Sequence, residues 1–289
     1  MCKSKLKNAR NGLRGAVLMA FVLLLSGCAV KLVYNQLDWV IPWYLDDYMS
    51  LNSSQEEVFD KRLKNYLTWH RKTQLPEYGA FLREVADDLE TGMTKAGIHH
   101  VQERTRELGQ VLLQRLVPDM VALFRDASDE QVAELFEAFE KQNEKYREEY
   151  IEASEKAQRK KRARETEAYI ERWTGRLNSE QKALIREGTS NYQLMGQEWL
   201  DARLAWQQEF RRILGVREDE QAFEKALTAL LLADDFGQSE AFAAKLAHNQ
   251  LLLENLYFRL DQTLSDRQRE RAVEKLRSYA RDFHELARE

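Results

Sequence analysis

Few side chains in this sequence could do chemistry, and their spacing matches no catalytic pattern. Five histidines, His70, His99, His100, His248 and His284, could bind a metal or move a proton. None sits in a His-Glu-x-x-His helix, and adjacent His99 and His100 would point to different faces of one, so no metal and no other cofactor is expected. The acidic pairs Asp46-Asp47, Asp87-Asp88 and Asp234-Asp235 could support acid–base work, although neighbouring carboxylates on a helix usually face water. There is no Gly-x-Ser-x-Gly elbow, no Walker loop, no dinucleotide fingerprint and no Glu-x-x-His pair for a di-iron bundle. The densest charge is basic: Lys156, Arg159, Lys160, Lys161, Arg162 and Arg164 place six cations within residues 156–164. That run is a candidate site for phosphate-bearing lipid or an acidic partner. Its plainer role is a solvated helix face with i,i+4 pairs such as Glu152 to Lys156.

The first thirty residues carry an address. Lys3, Lys5, Lys7, Arg10 and Arg14 precede an apolar run at 15–25, and small residues Ser26 and Gly27 follow. This is the layout of an export signal. Eleven apolar residues make a helix of roughly 16 Å, about half of a hydrocarbon core, so the run is too short to remain as a span. The leader ends Leu25-Ser26-Gly27-Cys28, which resembles a bacterial lipobox. That resemblance implies cleavage between Gly27 and Cys28, a diacylglyceryl group on the Cys28 sulfur and an acylated (palmitate-type) amino terminus. Ala29, in place of an aspartate, resembles the outer-membrane sorting pattern. Two or three acyl chains would hold stably where one binds marginally. Removing five bases and no acid takes the formal charge from −4 to −9, which excludes a whole-molecule nucleic-acid footprint. Cys2 leaves with the leader, so an intramolecular disulfide is excluded as well.

The elements that follow are helical throughout. Gly is 12 and Pro is 3 of 289 residues while charged residues make up 32%, and no segment shows period-2 alternation with turn chemistry. Tyr34, Leu37, Ile41, Tyr44 or Leu45, and Tyr48 share one helical face, with Trp39 and Trp43 beside them and Pro42 set to kink or restart the helix. Core packing is the favoured reading of these aromatics, and an interfacial belt against lipid headgroups is the alternative. Four segments open alike, at Leu51-Asn52-x-x-Gln55, Ala127-Ser128-x-x-Gln131, Leu177-Asn178-x-x-Gln181 and Leu264-Ser265-x-x-Gln268. Each reads as a capping box that starts a helix.

From the second start, Val132, Phe136, Phe139, Asn143, Tyr146, Tyr150, Ala153 and Ala157 alternate at four and three, a coiled-coil seam. Read as one helix over 128–174 it would be roughly 70 Å long, with the basic run solvated and facing away from the seam. Gly175 closes it, and a second stripe through Ile185, Tyr192, Met195, Trp199, Trp206 and Phe210 runs to Gly215. The short connection implies an antiparallel hairpin, with Trp173 near Gln181 to Ile185 and Tyr150 level with Tyr192 to Phe210. Further helices are expected at 53–73, 77–91, 98–125, 218–233, 239–261 and 266–287, with punctuation at Pro76 and Pro118. The expected architecture is all-α: a signal peptide at 1–27, an N-terminal helical region at 28–127, the long hairpin at 128–215 and C-terminal helices at 216–289 packing on an elongated bundle.

Two resemblances carry the functional expectation. Tyr34-Asn35-x-x-Asp38-Trp39, Trp43-Tyr44-x-Asp46-Asp47-Tyr48, Leu51-x-x-x-Gln55 and Trp69-His70-Arg71 with Leu75-Pro76-x-Tyr78 resemble proteobacterial envelope lipoproteins classed only as a domain of unknown function. The Leu-Asn/Ser-x-x-Gln starts resemble the Leu-Thr-x-x-Gln motif of the Spy/CpxP periplasmic proteins, which implies helical chaperones and stress modulators. The reading that results is a non-enzymatic helical interaction protein, acting as chaperone, scaffold or assembly factor. It would be anchored to the outer membrane through Cys28, face the periplasm and engage a protein partner. A membrane-tethered enzyme with an unrecognised acidic site is the alternative.

Overall fold

A computed structural model describes residues 28–289, so the leader and Gly27 lie outside the described residues, as does the side chain of Cys28. The helices are α1 (Cys28–Tyr34), α2 (Leu37–Leu45), α3 (Ser53–Trp69), a π-helical turn (His70–Gln74), α4 (Leu75–Thr91), α5 (Lys95–Arg125) and α6 (Asp129–Tyr150). They continue as α7 (Glu155–Thr174), α8 (Ser179–Ser190), α9 (Gly196–Leu214), α10 (Glu220–Leu232), α11 (Glu240–Asp261) and α12 (Asp266–Leu286). Among the described residues there is no strand, and the fold is an all-α bundle as expected.

All four capping boxes form, at Asn52/Gln55, Ser128/Gln131, Asn178/Gln181 and Ser265/Gln268. They also pair. The Gln55 amide donates to Gln131 Oε1 at 3.1 Å and the Gln131 amide donates back to Gln55 Oε1 at 2.7 Å. Each then donates to the carbonyl five residues before the other glutamine, Asp126 at 2.9 Å and Ser50 at 2.6 Å. Gln181 and Gln268 repeat the arrangement at 2.9 and 3.0 Å, with the carbonyls of Thr263 and Arg176 each 3.0 Å away. Every glutamine oxygen also accepts its own N-cap amide, so each side chain donates twice and accepts at least twice. The α3 and α6 starts are thus joined by one clasp, and the α8 and α12 starts by another.

Prolines interrupt less than their chemistry suggests. Pro76 lacks the N–H that an α-helix would direct at Lys72, and the wider π-helical turn absorbs the defect, so α3 runs into α4 without the expected break. Pro118 lies inside α5, and Pro42 lies inside α2; the restart expected at Pro42 falls earlier, at 35–36.

The hairpin exists with both arms jointed. α7 pairs with α8 and α6 with α9. The expected register holds: Lys182 reaches Glu171 at 3.1 Å and Glu167 at 3.9 Å, and Gly196 lies against Tyr150. Neither arm is a continuous helix, however. The first breaks at 151–154, where Ser154 caps α7, and the second at 191–195. Trp173 turns from the seam to meet Tyr279 of α12 edge-on at 5.7 Å.

Apolar packing is divided among several clusters. The largest joins Val117 and Val121 of α5, Leu135 and Phe136 of α6, Phe210, Ile213 and Leu214 of α9 and Phe223, Leu227 and Leu230 of α10. Smaller ones join α7 and α8 to α11, and α4 to α12, the most extensive helix pair.

Candidate functional site

The basic run lies wholly on α7, just past the joint of the first arm, and its members face two ways. Arg159 donates to the carbonyls of Ser190, the last residue of α8, at 2.6 Å and of Tyr192, inside the break that follows, at 2.9 Å. Arg162 lies 3.5 Å over the Tyr192 ring, and Lys161 pairs with Glu149 and sits 4.5 Å over Tyr150. These three cations face the seam, which corrects the expectation that the whole run points away from it. A guanidinium reaches exposed carbonyls wherever two helix ends meet, and helical periodicity cannot foresee such an end. Lys156, Lys160 and Arg164 are the exposed members of the run and lie at i, i+4 and i+8 on α7.

The histidines do not converge. His99 pairs with Glu254 at 3.1 Å and His100 with Glu84 at 3.0 Å, both at the surface. Among the described residues no group of three His, Cys, Asp or Glu side chains is placed to hold a metal ion. Acids from the adjacent pairs lie in surface contacts: Asp87 meets Arg277 at 2.9 Å, and Asp234 accepts from Gln110 at 2.9 Å.

His70 is the exception in burial. It opens the π-helical turn and is enclosed by Tyr34, stacked at 5.7 Å, Tyr66 at 6.2 Å and Tyr78 edge-on at 5.5 Å. The Tyr34 hydroxyl lies 2.8 Å from His70 Nδ1. Arg71 ties the neighbourhood together, donating to Asn35 at 2.8 Å and to Glu289 at 3.1 Å. Of the motif residues of the N-terminal third, Tyr34, Trp69 and Tyr78 therefore meet around the His70 ring, whereas Trp39 and Trp43 stack on each other and Gln55 joins the first clasp.

Burial pushes the His70 imidazole below its ordinary value, and burial beside Tyr78 and Tyr34 pushes the Tyr66 phenol up to about 12. The site holds neutral rings and serves as packing. Its pH consequence has a definite sign. The unfolded chain takes up a proton near the ordinary value of 6.5, whereas folded His70 resists, so stability present above 6.5 is lost as pH falls through that value towards the lower folded one. His70→Gln is expected to flatten the dependence of Tm on pH between about 7 and about 5. An unchanged slope would place that dependence on other groups.

A large, open apolar feature lies along α3. Of its 17 residues only Leu63 is buried, and Val58 is 51% exposed. α3 and α5 run antiparallel with a cleft of about 460 Å³ between them, floored by Val58, Phe59, Leu63, Leu116, Met120 and Leu123. Ile41 of α2 lines it as well, the first clasp stands at one end through Asn52, Gln55 and Asp126, and Tyr66 stands at the other. Its polar members are matched to each other: Arg62 pairs with Asp119 at 2.6 Å, and Arg115 approaches Asp119 at 3.7 Å. From Asn52 to Tyr66 the cleft follows roughly 21 Å of helix, about four turns.

A second apolar cleft of about 400 Å³ lies among α4, α5, α7, α11 and α12, with Phe81, Tyr169, Trp173 and Tyr257 in its walls. Its one buried acid, Asp261, is fixed by Arg269 at 2.8 Å and by the Met93 amide at 3.1 Å. Neither cleft was foreseen, because the sequence shows which face of a helix is apolar and leaves open how far apart two apolar faces stand.

Compared with known proteins, the chain matches the model of a family described as "Family of unknown function (DUF6279)" over residues 47–240. All residues of the α3–α5 cleft except Ile41 fall within the matched span. No curated protein and no solved structure matches it.

Proposed function

Since the chain belongs to this family of unknown function, its role has to be argued from its own surfaces, and we propose that it is a non-enzymatic helical interaction protein of the bacterial envelope that takes an amphipathic helix of a partner protein into the α3–α5 cleft. The lipobox resemblance supplies the location: anchored to the outer membrane through Cys28 and facing the periplasm. The observation that carries the reading is α3 itself, a 17-residue helix with one buried residue beside an open apolar floor. An amphipathic helix laid in that floor would bury the stripe that the fold leaves half covered. The acids that a tethered enzyme would use support this reading, since Asp119 and Asp261 are both engaged by arginines. The glutamine starts, which resemble those of periplasmic chaperones, serve here as structural clasps, so the chaperone-like variant of the proposal rests on the cleft.

A photo-crosslinking residue at Val58 tests the proposal in cells, with one at Leu251, 60% exposed on α11, as the control. A discrete adduct is expected from position 58 only. Met120→Arg should reduce its yield roughly tenfold by setting a charge in the floor while Tm stays within a few degrees. Equal yields from the two positions, or an adduct indifferent to Met120→Arg, would refute the cleft as the docking site.

A further inference from the structure

The aromatic face of α2 is uncovered. The helix buries no residue fully; Trp39 is 58% and Tyr44 51% exposed, and Leu32 on the preceding α1 is 62% exposed. Core packing, the favoured reading of these aromatics from sequence, is therefore corrected for Trp39 and Tyr44. At 100° per residue, Ile41 and Leu45 share the side that meets α3, and both contact cavities lined by Phe59. Trp39 and Trp43 fall on the opposite side. They are one turn apart and stacked, with ring centroids 6.1 Å apart and planes 10° from parallel.

We propose that this face rests on a lipid surface, with the Trp39 and Trp43 indoles in the headgroup layer of a zwitterionic bilayer. The inference rests on the lipid-anchor reading of Cys28. Three observations point to lipid as the occupant. First, α1 starts at Cys28 with no flexible tether, so the face that follows is held near any acyl chains placed there. Trp39 lies eleven positions after Cys28, about 17 Å at helical rise, so the indoles stay close to the anchor position. Second, indoles pair an apolar body with one polar N–H, the combination that partitions to membrane interfaces. Third, the charge around the indoles selects the headgroup. Asp38 adjoins Trp39, while the nearby cation Lys31 is paired with Glu285 and Asp282 of the C-terminal helix. Such a surface gains nothing from anionic lipid and is compatible with zwitterionic headgroups.

The test uses the mature chain reconstituted into phosphatidylcholine vesicles that carry lipid brominated near the top of the acyl chains, a short-range quencher of tryptophan. The wild type is compared with the Trp39→Phe/Trp43→Phe double variant, and intact mass reports acylation of Cys28. Two of six tryptophans touch the headgroups in this arrangement, so the wild type is expected to lose roughly a third of its emission and the variant almost none. Adding anionic lipid should leave the difference unchanged. Equal fractional quenching of both chains, or none in either, overturns the proposal and assigns the face to a protein or to a second copy. An unacylated mass refutes the anchor reading separately, and the same quenching, with vesicles added to that chain, still decides the orientation of α2. Circular dichroism of the double variant checks that the phenylalanines preserve the fold.

Discussion

Gln181→Ala is expected to lower the unfolding free energy by about 3–5 kcal/mol, more than an ordinary helix cap contributes. An N-cap substitution alone costs about 1 kcal/mol. Gln181, fully buried, does more than cap: it accepts the Asn178 amide, donates to the Thr263 carbonyl and exchanges hydrogen bonds with Gln268. Removing the amide leaves these part-buried groups without partners beside the space Gln181 filled, and each costs roughly 1–3 kcal/mol where water does not replace the lost bond. Because the two glutamines satisfy one another, the effects of Gln181→Ala and Gln268→Ala should be non-additive, with a coupling of about 1–2 kcal/mol in a double-mutant cycle. Urea unfolding of the two single variants and the double variant measures this. A Gln181→Ala variant within 1 kcal/mol of the wild type would mean that the clasp is a geometric coincidence of two caps. The first clasp should matter somewhat less, since its buried glutamine, Gln131, keeps 9% of its surface exposed whereas Gln181 keeps none.

Gly196→Val is the second large expectation, at roughly 3 kcal/mol, the upper end of overpacking. A Cβ at this position would lie 2.4 Å from the Tyr150 carbonyl oxygen and 3.2 Å from its carbon, so the two arms of the hairpin would have to separate at their joints. The obstacle is backbone and cannot swing aside. Arg159 and Arg162 span the same joint, so separation would also disturb their contacts with Tyr192. Gly109, mid-way along α5 with nothing within 4 Å of an added Cβ, provides the control. Gly109→Ala should stabilise by about 0.5–1 kcal/mol through helix propensity alone. Melting curves that moved in the same direction for both substitutions would contradict the close approach of the arms.

These two sites also mark where the sequence was legible and where it was not. The four helix starts could be read because a capping box is a local device: Asn178 and Gln181 are three residues apart and satisfy each other's backbone. That Gln181 meets Gln268 depends on two helix starts 87 residues apart, and nothing local encodes it. The joints went unread because Ala153 and Ala157 continue the four–three alternation, and a side chain as small as alanine does not distinguish a helix that continues from one that stops. Ser154 carried the break as a cap without a glutamine partner. Trp39 and Trp43, expected beside the stripe of Ile41 and Leu45, stack on the opposite side of α2, and amphipathic spacing says only that a face is apolar. Whether protein or lipid covers it is decided by neighbours. The α3–α5 cleft was invisible for the same reason.

The two clasps also bear on the order in which the chain folds. Their partners are 76 and 87 residues apart, so closing either loop costs roughly 4 kcal/mol of chain entropy before any hydrogen bond is made. Neighbouring pairs such as α7 with α8 close far shorter loops and can form first. Clasp formation is then a late event, and the second clasp must wait until residue 268 has been delivered. Clasp variants should consequently unfold faster while folding at nearly the wild-type rate, which makes the glutamines determinants of how long the native bundle persists rather than of how quickly it is reached.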